Sequence, residues 1–328
     1  MDKNKKLHKA KKDKNDEFYT QLSDIENEVK YYKEHFKDKI VFLNCDDPEE
    51  SMFFQFFALN FKFLGIKKLI ATHFASNKQS YKLELFADIN GDGKINQLDT
   101  IKTFLKGNGD FRNPECVEIL KECDIVVTNP PFSLFREYIS QLIEYDKKFL
   151  VIGNINAITY KEIFKVIKDN KLWLGVTNFN DGMYFEVPQD FVYSDTYKFE
   201  REREGKKVSR VPGVCWFTNM SHKKRNEEIF LYKTYHGNES GYTTYDNYDA
   251  IEVSKVKDIP VDYDGLMGVP ITFLDKFNPS QFEIIWTTDR GGDGMLEDYK
   301  KKHDRFDSPV VNGKGIYKRI IIKKKLLL

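Results

Sequence analysis

The chain has 328 residues, 41% hydrophobic and 31% charged, with 52 basic and 51 acidic side chains and a formal net charge of +1. With 27 Phe and 18 Tyr it is too aromatic for a disordered chain, and the balanced charge excludes a protein coated in basic groups, such as a histone. Nucleic-acid binding stays open, because it depends on where the charges sit and not on their sum.

Residues 1–15 carry seven lysines and one histidine against two aspartates. This is read as a flexible arm that either only solvates or touches phosphates. No apolar segment follows it, so it is not read as a secretory signal. Apolar residues at helical spacing (Leu22, Ile25, Val29, Tyr32, Phe36) predict a helix over 22–38. The run 40–43 predicts a buried strand ending in the polar turn Asn44-Cys45-Asp46-Asp47-Pro48. A Phe-dense helix is expected over 51–64, a second strand at 68–72 and a third at 81–85. A helix is one reading of 100–106.

Residues 114–122 predict a short helix and 124–128 a buried strand that stops at Asn129-Pro130-Pro131-Phe132. A helix follows, then a strand at 149–152 and a helix over 160–169. Short apolar strands alternating with helices point to a Rossmann-like α/β fold, a mostly parallel doubly wound sheet. Near residue 175 turns and tyrosines increase. Residues 201–210 hold five basic groups against two acidic ones. Strands are expected at 214–218, 229–233 and 316–323. No run approaches the roughly 20 apolar residues of a membrane span. Cys45, Cys116, Cys123 and Cys215 form no CxxC pair, so they read as reduced thiols in a cytoplasmic protein without a zinc site.

The chemistry concentrates at Asn129–Phe132. Ligands of open α/β sheets sit beyond the carboxyl ends of strands, where this tetrapeptide falls. Two prolines fix the turn and remove two backbone donors. The Asn129 amide oxygen and the Pro130 carbonyl can each accept one N–H bond from an exocyclic amine, and the Phe132 ring can stack on a base. The amine lone pair then attacks an activated methyl group, with positioning and electrostatics lowering the barrier. A base inside duplex DNA must first be flipped out. The bland alternative is a rigid turn from strand to helix.

Several segments in order resemble the EcoRI-type adenine-N6 DNA methyltransferases, which use S-adenosylmethionine. They are 16–21 (DEFYTQ), the turn 42–48, 109–112 with Glu115 and Cys116, 124–137 (DIVVTNPPFSLFRE), 148–154 with 157–161, and 214–219 (VCWFTN). Tyr317-Lys318-Arg319 also resembles the family. The resemblance implies that Phe18, Tyr19 and Thr20 contact the methionine end of S-adenosylmethionine. It implies that Asn44, Cys45, Asp46 and Asp47 lie under its ribose and methionine, and that Asp110 and Phe111 meet its adenine. It makes Asn129, Pro130, Pro131 and Phe132 catalytic. Two departures from the wider methyltransferase pattern stand out. The turn after the first strand has no glycine, and the second strand ends at Ala71-Thr72-His73-Phe74 with no acid for the ribose hydroxyls.

A competing motif lies at 88–99. Asp88, Asn90, Asp92, Lys94 and Asp99 occupy positions 1, 3, 5, 7 and 12 of a calcium-type loop, with Gly93 at position 6. Either a structural calcium or an Asx/Gly turn explains it. His73 and His222 read as surface or loop residues, and 290–294 as a loop. The cluster 201–210 is either a solvated hairpin or a DNA contact through Arg201, Arg203, Lys206, Lys207 and Arg210.

The reading is a bacterial cytoplasmic monomer that methylates adenine N6 in double-stranded DNA. The expected domains are an arm (1–15), a core (16–175) and the rest of the core sheet interleaved with a DNA target-recognition region (176–328). A cognate restriction endonuclease would read the same site without a stable complex, and no membrane partner is expected. The alternatives are methyl transfer to RNA or a protein amide, and a calcium-dependent interaction module built on 88–99.

Overall fold

The structure is a computed structural model and describes residues 19–45, 47–75, 78–177, 179, 181–203, 205–288 and 308–325. The basic arm, Phe18, Asp46 and the 290–294 loop lie outside the described residues. The chain forms two compact units. One takes residues up to Ile155 together with Gly175–Met220, and the other takes Asn156–Leu174 with the chain from Ser221 onward.

The first unit begins with β1 (Tyr19–Thr20), followed by β2 (Ile40–Leu43), β3 (Lys68–Thr72), β4 (Tyr81–Leu85), β5 (Ile101–Phe104), β6 (Ile125–Thr128) and β7 (Lys148–Asn154). After β8 (Trp173–Leu174) of the second unit come β9 (Met183–Glu186), β10 (Glu202–Arg203), β11 (Lys206–Val211) and β12 (Val214–Thr218). The main sheet runs β5-β4-β3-β2-β6-β7-β12 within this unit. β3, β2, β6 and β7 pair in parallel, while β4, β5 and β12 are antiparallel to their neighbours. This is the expected mostly parallel α/β sheet, with a parallel centre. Its central strands are buried on both faces, hence the continuous apolar runs in β3 and β6.

Helices α1 (Leu22–Val29), α2 (Lys33–Phe36), α3 (Met52–Leu59), α4 (Phe61–Leu64), α5 (Pro114–Glu122) and α6 (Phe135–Glu144) accompany the sheet. Ser51 caps α3 by accepting a 3.1 Å bond from the Phe53 N–H. Phe53, Phe54, Phe56 and Phe57 then enter the core, where Phe53 meets Trp216 of β12 edge-on. A smaller sheet, β1-β9-β11-β10, joins the N-terminal strand to the basic hairpin.

The second unit holds α7 (Lys161–Lys168), β8, β13 (Ile251–Glu252), β14 (Met267–Pro270), β15 (Phe282–Thr287), β16 (Val310–Val311), β17 (Lys314–Gly315) and β18 (Arg319–Lys324). Its larger sheet runs β13-β14-β18-β15. Phe164 of α7 packs edge-on against Trp286, with ring centroids 5.4 Å apart. Arg319, in the tail that resembles the family, makes a largely buried ion pair with Glu252 at 2.7 Å.

Five local expectations change. The 22–38 helix is broken by a 3-10 turn at Lys30–Tyr32, and the 51–64 helix is broken at Asn60. Residues 101–104 form strand β5, because the open edge of β4 offers a full antiparallel ladder that outweighs local helix preference. Residues 229–233 form no strand, since the Gln281 side chain takes both the Ile229 N–H (2.7 Å) and its carbonyl (3.2 Å). His222 is not a surface residue. It is 7% exposed, lies 3.0 Å from the Leu174 carbonyl, and is held below the usual imidazole range by burial.

Candidate active site

Parallel strands bring their carboxyl ends to one edge of a sheet. β2, β3 and β6 therefore deliver Asn44, Cys45 and Asp47, Thr72–His73 and Asn129–Phe132 to the same edge.

Asn44 is 2% exposed, and its Oδ1 accepts a 2.5 Å bond from the Tyr138 hydroxyl of α6 and lies 3.6 Å from Cys45 Sγ. Burial pushes the Tyr138 phenol far above its usual range, so it stays a neutral donor. Phe111 meets Tyr138 edge-on, 5.1 Å between centroids. The turn after β2, the 109–112 segment and the helix after the Asn129–Phe132 turn are thus joined through one buried phenol. Sequence reading placed Tyr138 only on an apolar helix face. The signal it lacked is the tertiary meeting with Asn44.

Asp110 is held by its neighbour. Arg112 forks onto both carboxylate oxygens (2.8 and 2.7 Å) and keeps the carboxyl below its ordinary range. Arg112 also reaches Glu137 of α6 at 3.2 Å. A carboxylate has about four lone-pair sites, so this fork leaves Asp110 able to accept from an adenine amine.

Asn129 is half-buried and Pro130 buried at the end of β6. Pro131 (φ −56°, ψ 123°) leads into a 3-10 turn at Phe132–Leu134, closed by a 3.0 Å bond from Leu134 N–H to the Pro131 carbonyl. Phe132 is half-buried and packs on the core cluster. The buried Thr20 Oγ1, His73 Nδ1 and Thr128 Oγ1 have no hydrogen-bond partner among the described residues. Buried polar atoms normally find a partner. Orphans at the ends of β3 and β6 and on β1 suit a polar ligand, and fit S-adenosylmethionine. Tyr19 enters β1 through its backbone, paired with Glu186, and Thr20 pairs with Phe185.

Glu28 was not singled out from sequence. This buried carboxylate on α1 accepts from Tyr32 OH (2.8 Å), Val176 N–H (2.7 Å), Thr177 N–H (2.8 Å) and Thr177 Oγ1 (2.6 Å). It ties the helix after β1 to the segment that leads into β9. A side chain at Gly175 would come within 2.4 Å of it, so the backbone passes there only as glycine.

The basic hairpin is engaged within its own unit. Arg201 lies over Tyr193 (4.8 Å), and Arg203 lies over Tyr184 (3.7 Å) and bonds Glu200. Lys206 bonds Glu186, and Lys207 donates to the Gln189 and Phe191 carbonyls. Arg210 donates to the Asp181 carbonyl at 2.5 Å. These contacts shape the 189–201 loop around Tyr193 and Tyr197.

The 88–99 loop closes on itself. Asp88 accepts from Gly91 and Gly93 N–H, Asn90 from Asp92, and Asp92 from Lys94. Asp99 accepts from Ile89, Asn90 and Asn96 N–H, which hold its carboxyl below the usual range. Among the described residues no group of three or more His, Cys, Asp or Glu could hold a metal ion. None of the four cysteines is in a disulfide. Burial pushes Cys116 up to about 11 and Cys123 to about 12, so neither is a nucleophile near neutrality.

The family model described as "Adenine-specific methyltransferase EcoRI" matches residues 6–325. The chain belongs to the EcoRI-type adenine-specific methyltransferase family. It is 50% identical to the Type II methyltransferase M.EcoRI of Escherichia coli, covering 99% of this chain and 98% of that protein. It is 43% identical to M.MgeORF184P of Mycoplasma genitalium and to M.MpnI of Mycoplasma pneumoniae, each match covering 97% of this chain and 98% of the relative. No solved structure matches the chain significantly. As an adenine-specific methyltransferase of this family, the protein is a DNA-modifying enzyme and draws its methyl group from S-adenosylmethionine. Among the described residues no helix is long and apolar enough to cross a membrane.

Proposed function

We propose that the enzyme methylates N6 of a flipped adenine at a specific site in duplex DNA. Asn129 Oδ1 and the Pro130 carbonyl accept the two amine protons. This draws the nitrogen toward tetrahedral geometry and directs its lone pair at the donor methyl. Pro131 stiffens the turn, and Phe132 stacks on the base. Bound S-adenosylmethionine supplies the electrophilic methyl. Phe18, Tyr19 and Thr20 contact its methionine end, Asn44, Cys45, Asp46 and Asp47 lie under its ribose and methionine, and Asp110 and Phe111 meet its adenine. No general base is needed before attack, since the proton leaves afterwards.

Arg201, Arg203, Lys206, Lys207 and Arg210 present the DNA-facing hairpin of a target-recognition region interleaved through 176–328. The relatives' Type II names favour the modification half of a restriction–modification system, working as a monomer beside a nuclease that reads the same site. The supporting observation is the NPPF turn at the carboxyl end of β6, on the edge that also carries Asn44 and Asp47. Incubating the enzyme with duplex DNA, RNA or protein acceptors and labelled S-adenosylmethionine tests it. Label should appear as N6-methyladenine in duplex DNA, and preferential labelling of RNA or protein sinks the reading.

A further inference from the structure

Glu28 is fully buried, and the four groups that donate to it are neutral. Its Oε1 takes the Tyr32 hydroxyl at 2.8 Å and the Val176 N–H at 2.7 Å. Its Oε2 takes the Thr177 N–H at 2.8 Å and the Thr177 hydroxyl at 2.6 Å. Burial pushes this carboxyl above its ordinary range, and the four bonds pull against that shift. A buried charge is costly even when its oxygens are satisfied, and an apolar side chain would fill the same space more cheaply. The position therefore demands what the carboxylate holds.

What it holds is one end of a circuit. β1 has two residues, and Gln21 alone separates it from α1, which carries Glu28. β1 pairs with β9 through Tyr19 with Glu186 and Thr20 with Phe185. The chain reaches β9 from Val176 and Thr177, the two residues that Glu28 grips. Gly175 fixes the same stretch from its other side. Its N–H donates to the Trp216 carbonyl at 2.8 Å, and a Cβ there would stand 2.5 Å from Trp216 Cβ and 2.4 Å from Glu28 Oε1. The segment is thus wedged between α1 and β12. A two-residue ladder is too short to hold its own place, so the place of β1 depends on how its flanks are tied. Thr20 is 4% exposed, and its Oγ1 has no hydrogen-bond partner among the described residues.

Resting on the methyltransferase reading above, in which Thr20 contacts the methionine end of the donor, we infer that Glu28 is a positioning residue for S-adenosylmethionine. It acts through β1, by locking α1 to the segment that feeds the partner strand of β1. The lock needs acceptors at both ends of the side chain. An amide in its place has an oxygen at one end and an NH2 at the other, which would face donors. Glu28→Gln therefore breaks half of the clasp with little change in volume.

The test compares binding of S-adenosylhomocysteine with binding of the methylatable duplex, at a temperature where every variant is folded. Glu28→Gln should bind S-adenosylhomocysteine roughly 10-fold more weakly and raise KM for S-adenosylmethionine by a similar factor, the scale of a lost hydrogen bond to a charged group. Affinity for DNA, and kcat at saturating donor, should each stay within about threefold of wild type. In a Thr20→Ala background, Glu28→Gln should add much less, because the two act on one contact. Where Glu28→Gln does not fold, Thr177→Val removes one donor to Oε2 and should show the same pattern at smaller size. A lower melting temperature with unchanged ligand affinity, or equal losses for donor and DNA, makes Glu28 purely structural and overturns the inference. Full additivity with Thr20→Ala overturns the route through β1. A wild-type enzyme that binds no S-adenosylhomocysteine overturns the methyltransferase reading itself.

Discussion

At the ends of β3 and β6, His73 Nδ1 and Thr128 Oγ1 are buried without a hydrogen-bond partner among the described residues, and Asp47 keeps an open side. On the β10–β11 hairpin, by contrast, Arg201, Arg203, Lys206, Lys207 and Arg210 each hold a carbonyl, a carboxylate or an aromatic face of their own unit. Both regions are rich in charge, but their charges do different work. The strand ends hold polar capacity in reserve, as a site for a polar small molecule requires. The hairpin uses its cations to fix the shape of a Tyr-rich loop. Any contribution to DNA binding then comes from that shape as well as from charge, since an exposed ion pair is weak and readily exchanges partners.

The sharpest way to break the comparison is at the catalytic turn. Asn129→Ala should lower kcat on the order of 10²- to 10³-fold, as loss of a transition-state hydrogen-bond partner does. S-adenosylmethionine affinity should stay within about twofold. Retained turnover would remove Asn129 from catalysis.

Next in size is the buried phenol. Tyr138→Phe strips Asn44 of its 2.5 Å donor and should destabilise the unit by about 1–3 kcal/mol, read as a lower urea midpoint with an unchanged slope. Weaker S-adenosylmethionine binding should accompany it. Unaltered affinity would mean that Asn44 lies outside the ligand's reach.

The hairpin supplies the third prediction. The double variant Arg201→Glu, Arg203→Glu should weaken DNA binding and reduce the salt slope by about two. A lower melting temperature with an unchanged slope would leave these arginines a purely internal role.

The pH dependence of stability is a smaller effect. The Arg112 fork lowers the Asp110 carboxyl from its ordinary 3.8. A depressed native value means the pair's contribution is in place above 3.8 and is lost only as pH falls through the lower, native value. Stability traced to this pair should therefore hold down to that range. Arg112→Ala should move the loss upward toward 3.8, as followed by acid titration of the fold. The smallest expected effect is at the 88–99 loop, whose carboxylates already accept backbone N–H groups. Adding calcium or a chelator should leave the melting temperature unchanged within about 1 °C, and a rise with calcium would restore the ion.

Much of the site was legible because its signals are local. The Asn129–Phe132 turn needs only a buried strand before it and a helix after it, and both follow from short-range apolar pattern. The strands at 40–43, 68–72 and 125–128 were equally plain, since both faces of a parallel strand are covered and the run is continuously apolar. The 100–106 segment was not legible, because its state depends on the free edge of β4, which no short window contains. The burial of His222 depended in the same way on the distant Leu174 carbonyl.

By itself the sequence determined the parallel α/β core and the place of the Asn129–Phe132 turn at its edge, since periodicity and turn residues act over a few neighbours. Only the tertiary structure decided that Tyr138 holds Asn44, that Glu28 grips Val176 and Thr177, and that Asp47 pairs with His73 at the end of β3. Each of these joins residues from separate segments of the chain. Such pairings are set by strand order and by the burial of polar groups that must find partners, and no local pattern encodes which partner they find.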